Sequence, residues 1–172
     1  NTLIQSSKNH EDKVFRVSVI SSGDPLEIYT EKDGEVIFKK YSPMGDLADF
    51  AAQICDSMGK NTGHIAAVCD RDTLIAVAGV PRRELIDKRA SLELEQMMEA
   101  RRIYRYQQGE TRLRVCEDVQ RYHIGVAAPI LSEGDLMGCV MLLLEEQDAP
   151  LDEAEQKLVQ TVAGFLGRQM ES

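Results

Sequence analysis

The chain of 172 residues carries 20 Lys and Arg against 29 Asp and Glu, a net charge of −9, with 43% hydrophobic and 28% charged residues. This balance describes a soluble globular chain rather than a disordered one. It argues against general affinity for nucleic acid, which rests on Lys and Arg neutralising phosphates. The longest apolar run, Met137 to Leu144, is far short of the ~20 residues that span a bilayer. No signal peptide is visible, so the expected location is the cytoplasm, with no membrane partner.

In chain order, Val14 to Ser22 reads as one strand carrying Lys13 and Arg16 at its start. The stretch GDPLEIYTEKDGEVIFKKYSP, Gly23 to Pro43, holds two short alternating runs joined by Asp33-Gly34, the positive-φ chemistry of a tight hairpin. A two-stranded ribbon is marginal in water, so this hairpin implies a partner surface. Beyond Ser42-Pro43 the period changes. Leu47, Phe50, Ala51, Ile54 and Met58 recur at helical spacing, and the pattern predicts a helix over 46–58 with Asp46 as N-cap and Gly59 as stop.

His64 to Gly79 reads as a buried hairpin about Asp70-Arg71-Asp72. Pro81 to Gln108 is helical in composition, with its best helix at Ser91 to Arg102. Strands are expected at Thr111 to Cys116, Tyr122 to Leu131 and Leu136 to Glu145. The last two are joined by Ser-Glu-Gly-Asp turn chemistry. Asp152 and Glu155 have capping-box spacing ahead of a final helix striped by Leu158, Val162, Phe165, Leu166 and Met170. The order of elements defines an antiparallel α+β domain whose two terminal helices are free to pack side by side.

Cys55, Cys69, Cys116 and Cys139 match neither paired zinc-ligand spacing nor Cys-x-x-Cys, and read as small apolar core residues. His10, His64 and His123 have no Ser or Cys partner at a catalytic spacing. No phosphate loop or nucleophile elbow is present. No enzymatic activity, cofactor or metal site is expected.

Four blocks in order, GDPLEIYTEKDGEVIFKKYSP, VCDRDTLIAVAG, VAAPILSEGDLMGCVMLL and EQKLVQTVAGFLGRQM, resemble the stage V sporulation protein T family. Its members are transcription regulators with an AbrB-like DNA-binding part followed by a GAF domain. The resemblance implies an α+β fold: a GAF-like antiparallel sheet flanked by helices over 44–172, which senses a small molecule and dimerises. Before it, residues 1–43 would be a partial AbrB-like β-ribbon. Gly23 to Tyr41 then answers to the second half of a ribbon that interleaves two chains.

Residues before Gly23 lack the family's Gly-Arg-Val-Val-Ile-Pro segment and its Arg-rich helix, leaving Lys13 and Arg16 as the candidate DNA contacts. Residues 1–43 hold six basic and seven acidic side chains, less basic than a DNA-binding half should be. Two readings stay open: a sporulation regulator whose GAF domain controls DNA binding, and a stand-alone ligand-binding or dimerisation module without a DNA role.

The basic stretch RRIYRYQQGETRLRVCEDVQR, Arg101 to Arg121, carries six arginines and two tyrosines. Arg forks onto carboxylate or phosphate and stacks on aromatic rings. One reading makes the stretch a lip that recognises an anionic small molecule through Tyr104, Tyr106, Arg114 and His123; the other makes it a solvated basic face. Two striped terminal helices and a half-built ribbon leave more apolar surface than one domain covers. That surface predicts a homodimer or a dimer of dimers.

Overall fold

The computed structural model describes residues 2–9, 12–19, 26–30, 36–40 and 47–171, and the chain divides into two units, Asn1–Ser42 and Pro43–Ser172. In the first unit, β1 (Thr2–Asn9) pairs antiparallel with β2 (Asp12–Val19), and β3 (Leu26–Thr30) with β4 (Val36–Lys40). The hairpin read from the alternation is β3 and β4, in register Leu26↔Lys40 to Thr30↔Val36. The Asp33-Gly34 turn lies outside the described residues. The strand expected from Val14 begins earlier and has a partner, β1, that the sequence did not announce.

The second unit runs α1 (Ala48–Thr62), β5 (Ile65–Asp70), β6 (Leu74–Ala78), α2 (Arg82–Leu85), α3 (Leu92–Glu99), β7 (Tyr104–Arg105), β8 (Arg114–Cys116), β9 (Val119–Ser132), β10 (Asp135–Leu144) and α4 (Glu153–Gln169). The sheet order is β6-β5-β10-β9-β7, with β8 also paired to β9 and every pairing antiparallel. Alternate residues of the central strands feed two cores. Val140, Leu142 and Leu144 meet Ala51, Cys55 and Met58 of α1 and Val159, Ala163 and Leu166 of α4. Cys139, Met141 and Leu143 meet Leu85 of α2 and Leu94, Met97 and Met98 of α3. Helices on both faces explain why β10 is almost wholly apolar instead of alternating.

Two glycines are required by close approach. A Cβ on Gly138 would overlap the carbonyl of Cys69 on the neighbouring strand, and one on Gly167 would overlap the carbonyl of Leu131, so α4 rests on β9 backbone to backbone. At the end of α1, Gly59 lies inside the helix, and the stop is Gly63 at φ 72°, its N–H bonded to the Gly59 carbonyl at 2.8 Å. The helix gains this turn because Asn61 Nδ2 and Thr62 Oγ1 donate to the carbonyls of Ser57 and Met58. Its N-cap position is Leu47, without a side-chain cap, and Asp46 lies outside the described residues.

The capping box of Asp152 and Glu155 is present as its spacing indicates. The stretch 81–108 is less helical than its composition suggests. α3 stops at Glu99, Arg101 turns through φ 51°, and Tyr104 pairs with Ala127 as the edge of the sheet. All four cysteines are buried and free. Burial, with Asp56 second, raises the Cys55 thiol to about 12, and burial raises Cys116 to about 11. These thiols stay protonated and serve as packing. No described helix is long and apolar enough to cross a membrane.

Candidate functional site

The basic stretch is split between two corners of the second unit. At the first, Ser91 caps α3: its Oγ accepts from the Leu94 N–H at 3.1 Å and donates to the Arg114 carbonyl at 2.5 Å. The Leu92 N–H donates to Glu117 Oε1 at 2.6 Å. The Arg114 guanidinium reaches back to Glu93 Oε1 at 3.3 Å, the Glu117 carbonyl at 3.3 Å and Glu117 Oε2 at 3.6 Å. The Glu93 carboxyl is held below its ordinary value by its own backbone N–H first and by the Arg114 charge. Arg114, expected to face a ligand, is therefore placed as a clamp between β8 and α3.

The second corner is built on the β7 edge of β9. The Tyr106 N–H donates to the Gly125 carbonyl at 2.8 Å, which draws its ring inward until it is 3% exposed. His123 meets that ring edge-on at 5.1 Å between centroids, and Arg112 lies over it at 5.7 Å. His123 is 5% exposed, and its Nε2 lies 3.3 Å from the Glu145 carbonyl. A carbonyl only accepts, so Nε2 carries the ring proton and Nδ1 presents its lone pair. Burial first, and then the Arg112 charge, keep the His123 imidazole below its ordinary pKa. Tyr104 is pushed up to about 12 by burial, then by the neighbouring Glu110 and Tyr106.

Three polar atoms of this corner, Tyr104 Oη, Arg112 Nη1 and His123 Nδ1, are buried without a hydrogen-bond partner. Buried side-chain donors and acceptors are nearly always paired; the first corner leaves one such atom, Glu93 Oε2, and this corner leaves three. The structure thus gathers Tyr104, Tyr106 and His123 and supplies Arg112, which the sequence reading passed over, in place of Arg114. Only the three-dimensional path distinguishes the two: regular pairing of β8 starts at Arg114, and Arg112 lies before it.

Elsewhere in the stretch, Arg121 is bonded to Glu145 at 2.6 Å and stacks on Tyr122 at 5.3 Å, while the Tyr122 hydroxyl donates to Glu84. Away from both corners, a surface hollow of about 270 Å³ sits where α1 ends, with Asp56, Lys60 and His64 at its rim and Gly59, Gly63 and Gly79 in its walls. His64 lies 3.8 Å from Glu155. Lys13 and Arg16 lie on β2, opposite Lys8 and Gln5 in register.

An antiparallel sheet with α1 and α4 on one face and α2 and α3 on the other is a GAF fold. It is similar to the GAF domain of an Acinetobacter phosphoenolpyruvate-protein phosphotransferase (TM-score 0.54, 12% identity, 72% of this chain and 81% of that one). It also resembles a Geobacter sulfurreducens GAF domain/HD domain protein (0.54, 14%, 74% and 95%). A third likeness is to the type II free methionine-R-sulfoxide reductase of Thermoplasma acidophilum (0.52, 12%, 73% and 95%). At such identities the likeness is one of fold.

Sequence takes the assignment further. Residues 46–171 match the family model described as stage V sporulation protein T C-terminal, transcription factor. The chain is 40% identical over 162 residues to stage V sporulation protein T of Bacillus subtilis (strain 168), spanning 92% of this chain and 88% of that protein. The chain belongs to the stage V sporulation protein T family of transcription regulators.

Proposed function

We propose that the chain is a sporulation-type transcription regulator in which the GAF unit senses a small molecule or the dimer state and controls DNA binding by the N-terminal unit. The observation that carries this reading is the extent of the match. A likeness spanning 92% of the chain cannot be confined to the GAF unit and enters the ribbon-forming residues ahead of it. The first element after the boundary between the units is α1, the segment through which a change in the GAF unit would reach the ribbon. Lys13 and Arg16 are the DNA contacts under this reading. Retardation of promoter DNA by the full chain, weakening as salt rises, is the expected result; a folded chain that retards none at low salt sinks it.

The near-neutral charge of residues 1–43 supports a second reading, a ligand-binding or dimerisation module without a DNA role. Both readings include a homodimer. Phe165 on α4 is 47% exposed, and its ring meets that of Phe50 of α1 at a tilt, 5.8 Å between centroids, which leaves an apolar seam along the two helices. A second copy covers such a seam by symmetry. In sedimentation, Phe165→Glu is expected to yield monomer, and a wild-type chain monomeric at micromolar concentration would refute the assembly. Under both readings the ligand site is the corner around Tyr106.

A further inference from the structure

We infer that Tyr104, Arg112 and His123 form a receptor for the carboxylate group of a small organic acid. The inference rests on the ligand-sensing reading above and names the chemistry of that site. Its ground is the contrast between what these side chains offer and what their surroundings take. Among the described residues no carboxylate lies within ion-pair distance of Arg112, and its guanidinium has the Tyr106 face as its neighbour. Its Nη1 is buried and unpaired, as is Tyr104 Oη. A half-buried cation whose Nη1 is shut from water without an acceptor gains from a counter-charge, and a carboxylate offers it two acceptor oxygens in one plane.

Glu110, the acidic group whose charge acts on Tyr104, accepts from the Gln107 N–H of its own loop at 3.2 Å. One guanidinium beside a neutral imidazole balances a single negative charge, so a carboxylate suits the corner better than a dianionic phosphate.

His123 gives the receptor a second property. With Nε2–H directed at the Glu145 carbonyl, Nδ1 can donate to a ligand oxygen only after taking a proton from solvent. The groups that act on this ring are Arg112, which opposes the proton, and Asp148 with the backbone at Ile124 and Glu145, which favour it. A bound carboxylate cancels the opposing Arg112 charge. Binding therefore takes up a proton, and affinity rises as pH falls from 8 to 6. A lone water in the corner would satisfy the same atoms without this linkage.

The test follows the His123 ring signals of the full chain by long-range proton–nitrogen NMR during titration with sodium acetate and sodium isobutyrate. Sodium chloride at matched ionic strength is the control. The expected result is a saturable shift with the carboxylates alone, severalfold tighter at pH 6 than at pH 8. It should be about tenfold weaker in Arg112→Gln, the loss of one charge-assisted hydrogen bond. It should weaken in Tyr104→Phe, which removes only the hydroxyl, and stay unchanged in Arg114→Gln. No saturable shift, an equal shift with chloride, or an undiminished one in both Arg112→Gln and Tyr104→Phe overturns the inference. A stabilising metabolite without a carboxylate, found by thermal shift, would overturn the carboxylate receptor and leave ligand sensing standing.

Discussion

The corner around Arg114 and the corner around Arg112 are two residues apart in sequence and opposite in electrostatic bookkeeping. At the first, a guanidinium, two carboxylates, a serine and a helix start are joined by ion pairs and hydrogen bonds, with one buried oxygen, Glu93 Oε2, left over. At the second, a guanidinium, a phenol and an imidazole surround one buried ring and leave three buried atoms unpaired. The difference teaches that a basic stretch is not one feature. Where it meets a helix start furnished with Glu93 and Glu117, it becomes scaffold; where it meets aromatic rings at a sheet edge, it keeps unspent hydrogen-bonding capacity, as binding sites do.

The largest expected effect that separates the corners is at Ser91. Ser91→Ala removes the cap of α3 and strands the Leu94 N–H and the Arg114 carbonyl in the interior, a loss of about 2 kcal/mol read by urea unfolding. Next is Arg114→Ala. Its side chain and that of Glu93 are 40% and 36% exposed, so solvent screening holds the loss to about 1 kcal/mol or less. A loss above that of Ser91→Ala would mean that the clamp, rather than the cap, anchors α3.

The pH dependence comes third and probes the other corner. His123 is held below its ordinary value by burial first and by Arg112 second, so the unfolded chain takes this proton more readily than the folded one. The stability tied to His123 is fully present above the unfolded value near pH 6.5 and is lost as pH falls from there through the lowered folded value. His123→Gln should flatten that part of the profile, and Arg112→Gln should reduce its slope. A profile identical in wild type and His123→Gln would place the imidazole in water. The smallest effect is that of Arg112→Gln on stability at pH 7.5. Without an ion pair to break, the change stays within about 0.5 kcal/mol, against the measurable loss at Arg114.

Most of the second unit was legible from periodicity. The helical stripe of α1, the two apolar runs of β5 and β6 about Asp70-Arg71-Asp72, the apolar run of β10 and the Asp152 capping box are local signals, and each element lies where its pattern put it to within a few residues. The stretch 81–108 was not legible, because Tyr104 and Arg105 become a strand only by pairing with Ala127 and Val126, more than twenty positions away. The same cause hides the choice between Arg112 and Arg114. Both stand in one polar run, and which of them meets Tyr106 depends on where β8 begins. Tyr104, Tyr106 and His123 could be singled out as aromatic or titratable groups beside arginines; that three of their neighbourhood's polar atoms are left unpaired is visible only in three dimensions.

The glycine at 167 has a consequence for motion. A helix separated from a sheet by a layer of side chains can roll on it, as on a cushion, and absorb small movements of the strands. At Gly167 the cushion is missing, since the helix backbone meets the carbonyl of Leu131 directly, and α4 is geared to β9. The same strand carries His123 near its other end, and Phe165 of the exposed seam is two residues from the gear tooth. A shift of β9 along its axis is thus handed to the seam with little slack.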